Sequence, residues 1–355
     1  MRDPRDLYSF ESMDVLAAVP RDGLVLVHAL PGLVDAGSSC RIAATYLRDQ
    51  LRHMKLVSFD VDELLDYRGS RPQAVFDGLS YTSVEVPELS LTLMYDEADR
   101  PFLLLDGPEP DLQWKRLSQA VIDLVEYFEV ERVVGMQAVP MAVPHTRPIG
   151  LFAHANDPTL LAGHPGGAAG TGQGAGTDRP VGSRDAPAGS EEHPAGRTAG
   201  AASGPEGGED AEGGTEIVVP ASFGALLEVE LGRSGHDAMG YAAQIPHYLT
   251  RTDFPAGALA LLRRISDATG LELPLRDLGD LTEAATDALE STLEQNAEVR
   301  QIVTALEEQY DALREQDGAP LATTIDLPTA DELGDRFERF LADQDAEGPE
   351  DPRRW

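Results

Sequence analysis

The stretch Leu24-Val25-Leu26-Val27-His28-Ala29-Leu30, followed by Pro31-Gly32, decides the fold of this 355-residue chain. A continuous apolar run with one polar member predicts a buried strand, and the Pro-Gly pair ends it. A helix is predicted directly after this turn, from about Ser38 to Arg52. The order of strand, loop and helix is typical of an α/β fold.

The same alternation continues along the chain. Further strands are predicted at residues 56–59, 89–95, 102–105, 132–136 and 239–245, with a hairpin turn at Asp77-Gly78. Further helices are predicted at residues 111–128, with Asp111 as the cap, and at 222–231 and 256–268. Strands interleaved with helices of this length predict a mostly parallel sheet, covered on both faces, within an α/β domain over residues 1–275.

Three other segments differ from this domain in composition. Residues 163–215 are rich in Gly, Ala, Pro, Ser and acids, which predicts a disordered insertion that serves as a linker. Residues 276–345 are predicted to be helical, and residues 346–355 form a charged tail. One apolar stripe of the helical region is predicted either to contact a partner or to pack on its own domain. It consists of Leu289, Leu293, Val299, Ile302, Leu306, Tyr310 and Leu313.

Composition restricts the compartment and the partners. The formal charge is -34, from 28 basic and 62 acidic residues, and such a field repels nucleic acid and anionic membranes. Cys40 is the single cysteine, so neither an intrachain disulfide nor a cysteine-based metal site is expected. The sequence shows no signal-peptide core and no apolar segment of membrane-spanning length. A cytoplasmic protein is expected.

Polar residues follow the ends of the predicted strands, where ligands bind in open α/β sheets. If these loops converge on one pocket, the chain is an enzyme or a small-molecule binder; otherwise Gly and Pro only turn the chain there. The candidate crevice residues are Gly32, Asp35, Asp60, Asp62, Arg71, Glu109, His145, Arg147, His247 and Tyr248.

No spacing among these candidates assigns a catalytic role. Phe59-Asp60-Val61-Asp62 is similar to the Asp-x-Asp of haloacid-dehalogenase-type phosphatases, but Leu64 departs from that pattern, which favours solvated loop carboxylates. His145 and Arg147 can clamp an anion and His247 can act as a base, although a histidine also fits a structural hydrogen-bonding role. The sequence has no His-x-x-x-His or comparable ligand spacing, so neither a metal nor another cofactor is expected.

Several ordered blocks resemble the proteasome-assembly-chaperone family, specifically its second-subunit type in actinobacteria and archaea. In the α/β domain they are Leu30–Gly37, Phe59–Arg68 with Arg71-Pro72, Leu105–Pro110 with Trp114, Val143–Pro148 and Ile245–Tyr248. The resemblance spans about residues 20 to 275. It recurs in the helical tail at Leu306–Asp311 and Phe337–Leu341.

The resemblance implies a three-layer α/β/α fold similar to nucleoside phosphorylases, and self-association as a homo-oligomer. Eukaryotic relatives assist proteasome ring assembly, so proteasome subunits are the implied partners. The first hypothesis is therefore a non-enzymatic interaction protein. The second is a phosphorylase, hydrolase or binder of a nucleoside-like compound in the crevice. The third is a scaffold whose insertion recruits partners.

Overall fold

The computed structural model describes residues 2–12, 16, 19–32, 34–69, 71–162, 219–294 and 297–315. The strands in this part of the chain are β1 Tyr8–Phe10, β2 Val25–Ala29, β3 His53–Phe59, β4 Gln73–Phe76, β5 Tyr81–Glu85, β6 Ser90–Tyr95, β7 Pro101–Asp106, β8 Arg132–Met141, β9 Leu151–Ala155 and β10 Ala238–Pro246. The helices are α1 Ser39–Gln50, α2 Val61–Leu64, α3 Trp114–Tyr127, α4 Phe223–Arg233, α5 Pro255–Thr269, α6 Leu275–Glu294 and α7 Ala297–Glu315. Short 3-10 helices lie at Pro4–Leu7, Ala36–Ser38, Pro158–Leu161 and His247–Leu249.

The central sheet has the strand order β1-β3-β6-β7-β2-β8-β10-β9. Its middle is parallel: β2 pairs with β7 on one side and with β8 on the other, and β8 pairs with β10. At the margins, β6, β3 and β1 follow one another antiparallel beyond β7, and β9 is antiparallel to β10. The predicted α/β fold is confirmed.

Helices cover both faces of the sheet. Successive residues of a strand point to opposite faces, so neighbouring residues report which helices lie on each side. Val27 packs with the cluster that contains α1 and α5, and the neighbouring Leu26 packs with the cluster that contains α3 and α4. The result is the three-layer α/β/α arrangement that the family resemblance implied.

The C-terminal helices α6 and α7 pack on the layer that contains α1 and α5. Val299 and Leu306 are buried in that core, and Leu289 and Ile302 pack against it partly buried. The hydroxyl of Tyr310 donates to the carbonyl of Pro148 at 3.3 Å. This part of the predicted stripe therefore packs on its own domain. The side chains of Leu293 and Leu313 lie outside the described residues.

Some predicted boundaries are wrong. Helix α3 begins at Trp114, because its N-cap residue is Gln113 and Asp111 instead accepts a hydrogen bond from the backbone of Asp66 at 2.7 Å. Strands β1 and β9 were not predicted, since both are short and none of their residues is fully buried. The insertion at 163–215, residues 316–345 of the predicted helical region and the tail at 346–355 lie outside the described residues. No helix in the described ranges is long and apolar enough to cross a membrane.

Candidate functional site

The acidic candidates Asp35 and Asp60 bind backbone N–H groups at the starts of helices. Asp35 accepts from the N–H groups of Cys40 and Arg41 in α1, at 2.8 and 3.1 Å. Asp60 is the N-cap of α2 and accepts from the N–H of Asp62 at 3.1 Å. The first N–H groups of a helix have no partner inside the helix, so both carboxylates stabilise local structure.

Glu109 joins two of the predicted loops to helix α4. Its backbone N–H donates to the carbonyl of Pro31 at 3.0 Å, and its carboxylate accepts from the N–H of Phe223 at 2.5 Å. Gly32 lies directly against this carboxylate, because a Cβ at position 32 would be 1.7 Å from Oε2 of Glu109. The structure thus brings Gly32 and Glu109 together where they hold the start of α4.

Alanine at Gly32 is expected to lower the free energy of unfolding by about 1–2 kcal/mol, because its Cβ displaces the carboxylate that caps α4. Urea unfolding followed by circular dichroism measures this change. Gly279→Ala is the matched control, since nothing lies within 4 Å of a Cβ there and alanine is the better helix former. Unchanged stability of Gly32→Ala would contradict the anchoring role of Glu109.

His145, His247 and Tyr248 form a buried group beyond the ends of β8 and β10. The hydroxyl oxygen of Tyr248 accepts from the backbone N–H of His145 at 2.9 Å and lies 2.7 Å from its Nδ1. Nδ1 of His247 lies 3.3 Å from the carbonyl oxygen of Met141, and its ring packs edge-on against Tyr248. Burial lowers the pKa of both histidines and raises the pKa of Tyr248. The group is therefore neutral at pH 7.

Arg147 binds helix α7. Its Nε and Nη2 donate to the two carboxylate oxygens of Asp311 at 2.9 and 2.6 Å, and its Nη1 donates to Glu307 at 3.3 Å. The hydroxyl of Thr146 also donates to Glu307. The block Val143–Pro148 and the block Leu306–Asp311, singled out separately in the sequence, thus bind each other. Fork-to-fork pairing of arginine with a carboxylate fixes the geometry of this contact.

Asp62 and Arg71 belong to neither group. Asp62 accepts from the hydroxyl of Tyr67 at 2.8 Å. Arg71 is exposed and makes no hydrogen bond or ion pair within the described part of the chain. The candidates therefore divide among separate local contacts, and the structure does not bring them into the single pocket that the sequence left open.

Within the residues that the structure describes, no three His, Cys, Asp or Glu side chains are arranged to hold a metal ion.

Asp106 is a buried carboxylate whose environment the sequence did not reveal. It ends β7, is 3% exposed and pairs with Arg48 of α1 at 2.6 Å. Burial raises the pKa of its carboxyl to about 6, against the opposing effect of the Arg48 guanidinium. The sequence placed it at the end of an apolar strand and inside the block Leu105–Pro110, but neither signal reveals its burial.

A row of polar side chains crosses the sheet, with His28 buried and the side chain of His154 38% exposed. The register pairs His28 with Gly135, Gly135 with Gly240, and Gly240 with His154. Each imidazole lies over the adjacent glycine: a Cβ at Gly135 would be 2.6 Å from Nε2 of His28, and one at Gly240 would be 2.4 Å from Cε1 of His154. Nδ1 of His154 lies 2.7 Å from a carboxylate oxygen of Glu228 in α4. The two glycines make room for the two imidazoles.

Fold and site together define a class: a three-layer α/β/α protein whose own C-terminal helix binds a loop at the ends of the parallel strands. The model of the PAC2 family matches residues 29–184 and 181–295. The chain therefore belongs to the PAC2 family, and the resemblance found in its sequence is confirmed.

Similar solved structures agree with this assignment. A Mycobacterium tuberculosis protein of unknown function is 35% identical with a TM-score of 0.70, and the match covers 89% of this chain and 96% of that one. A Corynebacterium glutamicum protein of unknown function is 32% identical with a TM-score of 0.70, covering 87% of this chain and 99% of that one. A proteasome-assembly chaperone homologue of Mycobacterium tuberculosis shares the fold at 21% identity and a TM-score of 0.60, covering 79% and 100%. None of the curated proteins matches the chain.

Proposed function

We propose that this chain is a cytoplasmic, protein-binding factor with a chaperone-like role in proteasome assembly, and that it acts as a homo-oligomer and not as an enzyme. Membership of the PAC2 family and the fold shared with a proteasome-assembly chaperone homologue support this role. The observation that carries the proposal is an exposed apolar hairpin, formed by β4 and β5.

The hairpin offers apolar side chains to solvent. Strands β4 and β5 pair with each other in a sheet of their own, and every residue from 73 to 86 is exposed. Leu79 is 94% exposed and Tyr81 is 74% exposed. An isolated hairpin is marginally stable in water, and contiguous exposed apolar side chains mark protein contacts. The large exposed apolar residues of the hairpin are Val75, Phe76, Leu79, Tyr81, Val84 and Val86.

The low net charge of the hairpin also favours it as the surface that contacts a partner. Residues 71–86 contain one arginine against two acidic residues, Asp77 and Glu85, whereas the whole chain has a formal charge of -34. A field of that size repels an acidic partner, including a second copy of the chain. The nearly neutral hairpin is therefore a place where a partner can approach closely.

Replacing Leu79 and Tyr81 together with serine is expected to reduce the recovery of proteasome subunits by tenfold or more. Affinity purification of the tagged full chain from native lysate, with quantitative mass spectrometry, measures this recovery. The melting temperature should stay unchanged, because both side chains are exposed. Light scattering on the same samples reports whether the homo-oligomer depends on the hairpin.

Val229→Ser is the matched control, since Val229 is exposed on α4 and outside the hairpin. Its recovery of proteasome subunits should equal that of the unchanged protein. Equal recovery by the Leu79→Ser/Tyr81→Ser variant would rule out the hairpin as the contact, and absence of proteasome subunits from every sample would rule out the assembly role.

A further inference from the structure

A cleft of about 440 Å³ lies between helices α5 and α6 and the loop that leads into β9. Clefts of this size hold small molecules in many proteins. Apolar side chains, among them Phe254 and Leu259, form part of its lining. The groups that decide what it can bind are Arg263 and Arg264, and His145 also belongs to the lining.

His145 belongs to the lining of this cleft, and its Nε2 is buried. The side chain is nine-tenths buried, and its Nε2 has no partner within the described residues. The hydroxyl oxygen of Tyr248 already accepts from the backbone N–H of His145. The hydroxyl proton of Tyr248 is therefore placed to be donated to Nδ1 of His145, 2.7 Å away. A neutral imidazole that accepts at Nδ1 carries its own proton on Nε2.

Arg263 and Arg264 supply further donors from α5. Neither pairs with a carboxylate among the described residues, although Asp267 of the same helix also lines the cleft. Arg264 lies over the ring of Tyr241, with its guanidinium carbon 5.9 Å from the ring centre. Arginines without an acidic partner are unexpected in a chain with 62 acidic and 28 basic residues.

The third arginine of the lining, Arg147, is already bound by Asp311 and Glu307. The donors that the lining offers to a ligand are therefore the two guanidinium groups of α5. Guanidinium groups bind carboxylate and phosphate oxygens through paired N–H donors.

We propose that this cleft binds the oxyanion of a small ligand, a phosphate or a carboxylate, whose apolar part lies against Phe254 and Leu259. This site is separate from the exposed hairpin and does not depend on the chaperone-like role. It would make the chain a ligand-binding protein as well as a partner-binding one.

Isothermal titration of the full chain with phenyl phosphate, benzoate and neutral phenol, at fixed ionic strength, tests the site. We expect saturable binding of at least one aryl anion and none of phenol. The affinity should fall tenfold or more in Arg263→Gln/Arg264→Gln. It should stay unchanged in Arg233→Gln, which removes one positive charge, as Arg263→Gln alone does, but from the opposite face of the sheet.

Tighter binding of phenyl phosphate identifies a phosphate ligand, and tighter binding of benzoate identifies a carboxylate; either supports the proposal. The single variant Arg263→Gln covers the case in which loss of Arg264 disturbs Tyr241, because Arg263 is exposed. Absence of binding in the millimolar range, or equal affinity in the Arg263→Gln variants and in Arg233→Gln, would overturn it.

Discussion

Alanine at Gly107 is expected to lower the free energy of unfolding by about 3–5 kcal/mol, through a steric clash together with backbone strain. Gly107 follows the last residue of β7 and has a φ of +141°, which L side chains rarely adopt. A Cβ there would be 2.3 Å from the carbonyl oxygen of Glu88 and 2.6 Å from Cα of Leu89. Both are backbone atoms next to the ladder between β6 and β7, so neither can move without breaking strand pairing.

Gly23→Ala separates the cost of backbone strain at a positive φ from the cost of the steric clash. Gly23 also has a positive φ, +67°, but nothing lies within 4 Å of a Cβ at that position. Its replacement should therefore cost only about 1 kcal/mol, from backbone strain alone. Urea unfolding of both variants gives the comparison. A Gly107→Ala protein no less stable than Gly23→Ala would show that the turn after β7 can rearrange.

Gly107 also shows how far the sequence predicted the structure. Patterns of apolar residues identified β2, β6, β7, β8 and β10 and the helices between them, because those strands are buried on both faces. The block Leu105–Pro110 was recognised as a unit, but its physical basis lies in backbone atoms of Glu88 and Leu89, which pattern reading does not place. Strands β1 and β9 escaped prediction because short, half-exposed margins carry almost no periodic signal.

The site was less predictable than the fold. Position after a strand end singled out Gly32, Glu109, His145 and Arg147 as crevice candidates, but it does not reveal their contacts, which come from distant parts of the chain. Glu109 meets the start of α4, and Arg147 meets α7. Arg263 and Arg264 were not predicted as candidate ligand-binding residues. The sequence of a helix does not show whether an arginine on it forms an ion pair with an acidic residue.

Acid is expected to destabilise the protein through His28. Burial lowers the pKa of this imidazole to about 4, and the neighbouring His154 adds to the effect. In the unfolded chain His28 titrates near 6.5, so between pH 6.5 and pH 4 the unfolded state binds a proton that the folded state does not. Stability therefore falls as the pH drops through this window. The full loss from His28 is about 3 kcal/mol, reached near pH 4.

Asp106 opposes this trend. Its folded pKa of about 6 lies above its ordinary value of 3.8, so between pH 6 and pH 4 the folded state holds a proton that the unfolded state has released. Stability from Asp106 therefore rises as the pH drops. The two buried groups partly offset each other in the unchanged protein, and only variants separate them.

Urea unfolding at pH 7, 5.5 and 4.5 measures both effects. His28→Gln should remove the acid loss and leave the gain from Asp106, so its stability relative to the unchanged protein improves as the pH falls. Asp106→Asn should show the reverse, a steeper loss than the unchanged protein. Parallel pH profiles for His28→Gln and the unchanged protein would mean that His28 charges freely in the folded state.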